Sequence, residues 1–212
     1  MTAPRDTETR DRLLKAAERL FADRGFKKVT VRDICRAARA NVAAVNYHFG
    51  DKAGLYREVL QSAIDGMRET NDEARRAGTG QSADEQLRRY IAVFARRVLG
   101  AGSDTVYKLV NREMNDPTPA FDALVEQGLR PRIDYLAGLI GDIIGCAPTD
   151  QRVLRCVASV QMQMIAYLPN PMAARLGFPN KPTAANLAEI AEHLAQFSLA
   201  GVHAVGRAVH AR

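Results

Sequence analysis

Two helix-starting signals, Thr30 and Asn41, stand so close together that the chain between them holds only a short helix and a tight turn. Thr30 has Asp33 three residues on as a shortened capping-box partner, so a helix is expected over residues 31–38. Arg39 and Ala40 make the turn. Asn41 caps a second short helix over residues 42–48, closed by Phe49 and Gly50. A longer helix precedes both over residues 9–24, where Leu13, Leu14, Ala17, Leu20 and Phe21 recur at helical spacing. Gly25 ends it, because only glycine takes the left-handed conformation cheaply, and Phe26 can fold back onto the stripe. Two short helices joined by a tight turn and packed on a longer one make a helix-turn-helix.

Helical periodicity continues to the end of the chain, with no sustained alternating pattern of the kind strands need. Asp51 caps a fourth helix over residues 52–75, and the run R-A-G-T-G-Q-S-A at residues 76–83 is a loop. Further helices are expected over residues 84–99, 104–115, 120–128 and 131–144. Pro119 and Pro131 open the last two. An apolar helix over residues 150–167, a Pro- and Asn-rich loop over residues 168–182, and a long helix over residues 183–209 capped by Thr183 complete the chain. The fold class is therefore all-α. It comprises a three-helix helix-turn-helix domain over residues 1–54 and a helical domain over residues 55–212.

The second short helix carries the most chemical information. Val45 and Phe49, four apart, point to a core together with Ala40. The opposite face offers Asn41, Val42, Ala43, Asn46 and Tyr47, which carry no charge and include small residues that let a backbone come close. In a DNA major groove that surface has a use. Val and Ala touch thymine methyls, and Asn pairs with adenine through two hydrogen bonds. Tyr47, His48 and Lys52 lie at the far end of the helix, suited to phosphate oxygens.

Charge points the same way. The first 60 residues hold 13 Lys and Arg against 8 Asp and Glu, whereas the remainder holds 17 against 16. A basic surface attracts polyanions through counterion release. A near-neutral C-terminal part argues against an architectural protein that grips DNA without sequence preference. An enzyme of unknown type is the other alternative, but the chain lacks a phosphate-binding glycine loop, G-x-S-x-G and H-E-x-x-H. No cofactor and no metal are expected: Cys35, Cys146 and Cys156 are far apart, and His193 and His203 do not have ligand spacing. Scattered thiols, no secretory signal and no apolar run near ~20 residues predict a cytoplasmic protein without a membrane span.

The run T-V-R-D-I-C-R-A-A-R-A-N-V-A-A-V-N-Y-H-F-G-D-K-A-G-L-Y from Thr30 to Tyr56 resembles the DNA-binding domain of the TetR family, and the likeness extends back over L-F-A-D-R-G-F from Leu20 to Phe26. The resemblance implies a ligand-responsive transcription regulator, by family habit a repressor, that binds double-stranded operator DNA as a homodimer. It implies that Thr30 and its helix N-terminus hold a phosphate and that Arg32 reaches a base or phosphate. Val42, Ala43 and Asn46 then face bases, with Asn41 at the helix start, and Tyr47, His48 and Lys52 clamp the backbone. One departure is Arg39, at a turn position where the family usually has glycine. A weaker likeness, N-R-E-M-N-D-P-T-P-A-F-D at Asn111 to Asp122 followed by L-R-P, resembles a TetR subgroup associated with antibiotic-like or aromatic compounds.

That resemblance implies a sensor cavity between the helices at residues 84–99, 104–115 and 150–167, bordered by Phe94, Tyr107, Val110, Met114, Met162 and Tyr167. Its small-molecule effector is expected to be neutral or weakly charged and partly aromatic. For each of these side chains, ordinary core packing is the competing role, and for Arg112 and Glu113 an ordinary ion pair. Leu187, Ile190, Ala191, Leu194 and Phe197 form a stripe extended by Leu199, Val202 and Val205. With the helix at residues 150–167, this stripe is expected to meet a symmetry mate in a four-helix seam.

Overall fold

The computed structural model describes residues 4–100, 104–168, 175–177 and 182–210. The elements are α1 (Pro4–Arg24), α2 (Val31–Ala38), α3 (Val42–Phe49), α4 (Lys52–Gly78), α5 (Ala83–Leu99) and α6 (Asp104–Asn115). A single turn, α7 (Phe121–Ala123), leads through a π-helical stretch (Leu124–Leu129) into α8 (Arg130–Ile144), followed by α9 (Gln151–Ala166) and a last helix (Leu187–His210), here α10. No strand occurs among the described residues. The chain divides into two compact units, Met1–Gly66 with Thr105–Gly128, and Met67–Asp104 with Leu129–Arg212. This differs from a division after residue 54: the first unit takes in the start of α4 and nearly all of α6.

The first unit is built on one core. Leu13, Ala17 and Phe21 of α1, Ile34 of α2, Val45 of α3 and Leu55 of α4 are fully buried together. Phe26 does fold back: its ring and that of Phe21 each stand 4.9 Å from the Tyr56 ring. α6 belongs to this unit because Leu109 enters the same core and its polar side chains dock on α1 and α4. Glu113, only 1% exposed, accepts the Tyr56 O–H at Oε1 (2.5 Å) and the Thr118 N–H and Oγ1–H at Oε2 (both 3.1 Å). The Arg112 guanidinium donates to the Asp23 and Ala22 carbonyls (2.6 and 3.4 Å) at the C-terminus of α1, where cations satisfy orphaned acceptors. Arg112 and Glu113 are thus anchors with separate targets, and among the described residues neither makes the ordinary ion pair expected of them. Lys108 pairs with Asp23 (2.9 Å) and Lys27 with Asp116 (2.5 Å) around them.

In the second unit, α10 packs against α5, α8 and α9, and α8 also packs on α5 and α9. This corrects the reading of the α10 stripe. Ile190, Ala191, Leu194, Leu199 and Val202 are already buried inside a single chain, because α10 fills the space between its own neighbours. Among the described residues, the large apolar side chains left exposed on α9 and α10 are Leu154 (38%), Met162 (58%) and Phe197 (63%).

Element ends differ from the sequence-based expectation at several points. α1 starts at Pro4, ahead of its apolar stripe. α4 runs to Gly78, so the loop expected over residues 76–83 shrinks. Thr79 Oγ1 donates back to the Arg75 carbonyl (3.1 Å), and Ser82 caps α5 by accepting the Glu85 N–H (3.3 Å). Pro131 does not separate two helices. A wide π turn precedes it and relieves the clash between its ring and the preceding turn, so the run stays helical from Phe121 to Ile144. α10 begins at Leu187, after a turn in which Asn186 Oδ1 accepts from the Thr183 N–H (2.8 Å) and Oγ1 (3.1 Å). Of the loop expected over residues 168–182, residues 169–174 and 178–181 lie outside the described residues. Tyr56→Phe leaves a buried carboxylate oxygen without its donor, which costs about 1–3 kcal/mol. The expected result is a lower thermal unfolding midpoint by circular dichroism, and an unchanged midpoint would count against the Tyr56–Glu113 bond.

Candidate nucleic-acid interface

The chain presents α3 through two caps and two anchors. Asn41 is extended (φ −88, ψ 151), and its Oδ1 accepts the Ala43 N–H at 3.1 Å. At the other end Gly50 has φ 78, which suits glycine. Val45 is fully buried and Phe49 is 8% exposed, so the other face of the helix is held outward. On that face lie Val42 (41% exposed), Ala43, Asn46 and Tyr47 (74% exposed), all without charge.

α2 is fixed by a reciprocal capping box. Thr30 Oγ1 accepts the Asp33 N–H (3.2 Å), while Asp33 Oδ2 accepts from the Thr30 N–H (3.1 Å) and hydroxyl (2.6 Å). The hydrogen bond from the Thr30 side chain, then that from its backbone, hold the Asp33 carboxyl below the usual range. Thr30 and Arg32 are exposed beside α3 in sequence. Arg39 adopts the left-handed conformation (φ 51, ψ 48) that a glycine takes cheaply, and Ala40 N–H still reaches the Cys35 carbonyl (3.0 Å). The turn keeps its helix-terminating geometry at a strain of about 1 kcal/mol.

Two of the side chains assigned from the sequence to phosphates face inward. The Lys52 ammonium donates to the carbonyls of Phe26 (3.1 Å) and Val29 (3.0 Å) and lies 4.3 Å from the Phe26 ring centre. It therefore ties the loop before α2 to the start of α4. The His48 side chain is 9% exposed, with Nε2 3.2 Å from Asp6 Oδ1 on α1. Gly54 is a residue that sequence reasoning missed. A Cβ there would stand 1.9 Å from the Phe49 backbone oxygen, so the α3–α4 corner closes only over glycine. Its N–H donates to the capping Asp51 Oδ1 (2.6 Å). The signal was available, since a glycine in the first turn of a helix usually has a packing reason.

The sensor residues fall into both units. Tyr107, Val110 and Met114 are in the first, with Met114 66% exposed. Phe94, Met162 and Tyr167 are in the second, where Phe94 is buried against the Tyr90 ring at 4.4 Å.

Two family models match this chain. Bacterial regulatory proteins of the tetR family match residues 13–59, which hold α2, α3 and most of α1. The C-terminal domain of the HTH-type transcriptional dual regulator CecR matches residues 83–202, more than half of the chain. The chain belongs to the TetR family. Among relatives of this TetR-family regulator, CecR of Shigella flexneri is 29% identical over 169 residues, which is 76% of this chain and 75% of that protein. The HTH-type transcriptional regulator YttP of Bacillus subtilis is 26% identical over 60% of this chain and 68% of its own. In fold, a TetR-family member from Streptomyces coelicolor A3 superposes with a TM-score of 0.67 at 19% identity, covering 89% of this chain and 90% of that one.

Lys52→Met keeps the stem on Phe26 but removes the donor to two carbonyls, a loss of about 1.5–3 kcal/mol. A lower thermal midpoint in the absence of DNA is the expected outcome. A variant as stable as the parent would return Lys52 to a role in DNA contact alone.

Proposed function

We propose that this TetR-family regulator is an effector-released repressor that binds a near-palindromic operator as a homodimer. The observation that carries the reading is the exposed, uncharged face of α3, held outward by buried Val45 and Phe49. Left in water, such a face gains little. In a major groove, Val42 and Ala43 touch thymine methyls and Asn46 pairs with an adenine. Thr30 at the start of α2, Arg32 and Tyr47 supply phosphate contacts, supported by the basic excess of the first 60 residues. His48 and Lys52 hold the reading helix in place, and any phosphate contact they make comes after that duty. Since the protein reads chromosomal DNA, its place of work is the cytoplasm.

One such helix reads only a few base pairs, so useful affinity needs two, about one helical turn (~34–36 Å) or a multiple apart. The exposed Leu154, Met162 and Phe197 on α9 and α10 provide the self-complementary apolar patch for a two-fold seam. The second unit, with Phe94 and Tyr167, takes a small aromatic effector, while Met162, assigned to the cavity from the sequence, is exposed and belongs to the seam patch. That effector regulates by binding the DNA-free form more tightly than the DNA-bound one. α4 is continuous through the boundary of the two units at Gly66 and Met67, which gives the effector a covalent route to the DNA-binding part.

Gel shifts with the DNA upstream of the protein's own coding region, against scrambled duplex at moderate salt, test the reading. Asn46→Ala is expected to lose about 1–3 kcal/mol of preference for the true site while binding scrambled DNA as before. An even loss across all sequences would remove Asn46 from base reading. Phe197→Glu is expected to sediment as a monomer and to lose operator binding with its charge at the seam. If the unaltered protein is itself a monomer at micromolar concentration, the two-half-site model fails.

A further inference from the structure

The second unit contains three buried polar atoms without hydrogen-bond partners. Asn71, on α4, is 6% exposed, and its Oδ1 is buried without a hydrogen-bond partner. On α8, Arg132 Nε and the Tyr135 hydroxyl are likewise buried and unpartnered. Buried polar atoms are almost always paired, so three orphans in one unit require a reason. They lie on converging elements. Arg132 and Tyr135 are three apart on α8 and share a face. The Arg132 guanidinium stands 5.4 Å from the Phe94 ring centre, the Tyr135 ring 6.1 Å from that of Tyr90, and the Arg75 guanidinium, one turn after Asn71, 4.3 Å from the Tyr135 ring.

Among the described residues the charge of Arg132 is not neutralised: it meets no carboxylate. Its titratable neighbours stay neutral: burial pushes the Tyr90 hydroxyl up to about 12, and burial raises that of Tyr135. Tyr90 is already engaged, as acceptor of a hydrogen bond from Gln161. A half-buried guanidinium whose Nε–H is buried and idle is left with an unsatisfied donor that an anion could meet.

We propose that Arg132, Tyr135 and Asn71 recognise an aromatic acid that also carries a hydroxyl group. The carboxylate accepts from the planar guanidinium fork of Arg132 and from the Tyr135 O–H, a charge-assisted geometry for which arginine is suited. The ligand hydroxyl donates to Asn71 Oδ1. The aromatic body packs among Tyr90, Phe94 and Tyr135. The proposal rests on the effector-binding reading above and fixes the class of effector: an acid, where the sequence suggested a neutral or weakly charged compound.

The probes are 2-, 3- and 4-hydroxybenzoate, each compared with its uncharged hydroxybenzamide, on the full chain by calorimetry and thermal shift. At least one acid is expected to bind about tenfold or more tightly than its amide, the factor that one charge-assisted hydrogen bond provides. In Arg132→Met the preference should fall to none, and the ligand-free protein should melt no lower than the parent, because an uncompensated charge has been replaced by an apolar side chain of similar length. Asn71→Leu should weaken the acid and its amide alike. The proposal is overturned if no hydroxybenzoate binds the parent protein, if amides bind as well as acids, or if acid preference survives in Arg132→Met. Gel shifts on the same samples without probe separate this from the reading beneath it. Specific operator binding with indifference to the acids sinks the acid site alone, whereas no preference for the upstream DNA sinks the regulator.

Discussion

A helix of eight residues does not hold together in water, because nucleating the first turn costs more than the few bonds that follow return. α3 exists as a presentable surface only because Val45 and Phe49 are buried in a core made by other elements. Much else in the first unit serves that anchorage. Gly54 lets the α3–α4 corner close over the Phe49 carbonyl. The Lys52 ammonium pins the loop before α2 to the start of α4, and His48 lies against Asp6 on α1. The cation and the imidazole nearest α3 are committed to orienting it, and its outward face carries only the uncharged Val42, Ala43, Asn46 and Tyr47.

α6 extends the same logic. Its buried Glu113 joins Tyr56 of α4 to Thr118, while Arg112 satisfies the carbonyls that end α1. Each contact uses a group that would be expensive to leave unpaired: a buried carboxylate on one side, helix-end acceptors on the other. A segment more than a hundred residues from the N-terminus is thereby made part of the DNA-binding unit. The position of α1, on which α2 and α3 rest, depends on it.

The second unit follows a different economy. Its helices pack an ordinary apolar core, with α10 filling the space between α5, α8 and α9. Yet it keeps idle polar atoms on Asn71 and on Arg132 and Tyr135, which lie beside the rings of Phe94 and Tyr90. A unit selected for stability alone would replace them with apolar residues. Sites that must bind something are where proteins tolerate such local cost.

The sequence by itself determined what local interactions decide. Thr30 with Asp33, Asn41 and Ser82 cap helices through contacts two or three residues away, so α2, α3 and α5 begin within a residue of where their letters place them. The core stripe of α1 and the outward face of α3 follow from periodicity alone, whereas the left-handed conformation of Arg39, at a turn position where the family usually has glycine, is settled by the structure. Tertiary structure decided everything that depends on partners far along the chain. Arg112 and Glu113 meet acceptors and donors 89 and 57 residues away, distances over which spacing carries no information. Lys52 and His48 turned inward because backbone carbonyls and Asp6 lay there, and no pattern of side chains marks a carbonyl. Most of the α10 stripe was claimed by its own chain because hydrophobic burial is non-directional: the sequence says that a face must be covered, and only the packed fold says by what.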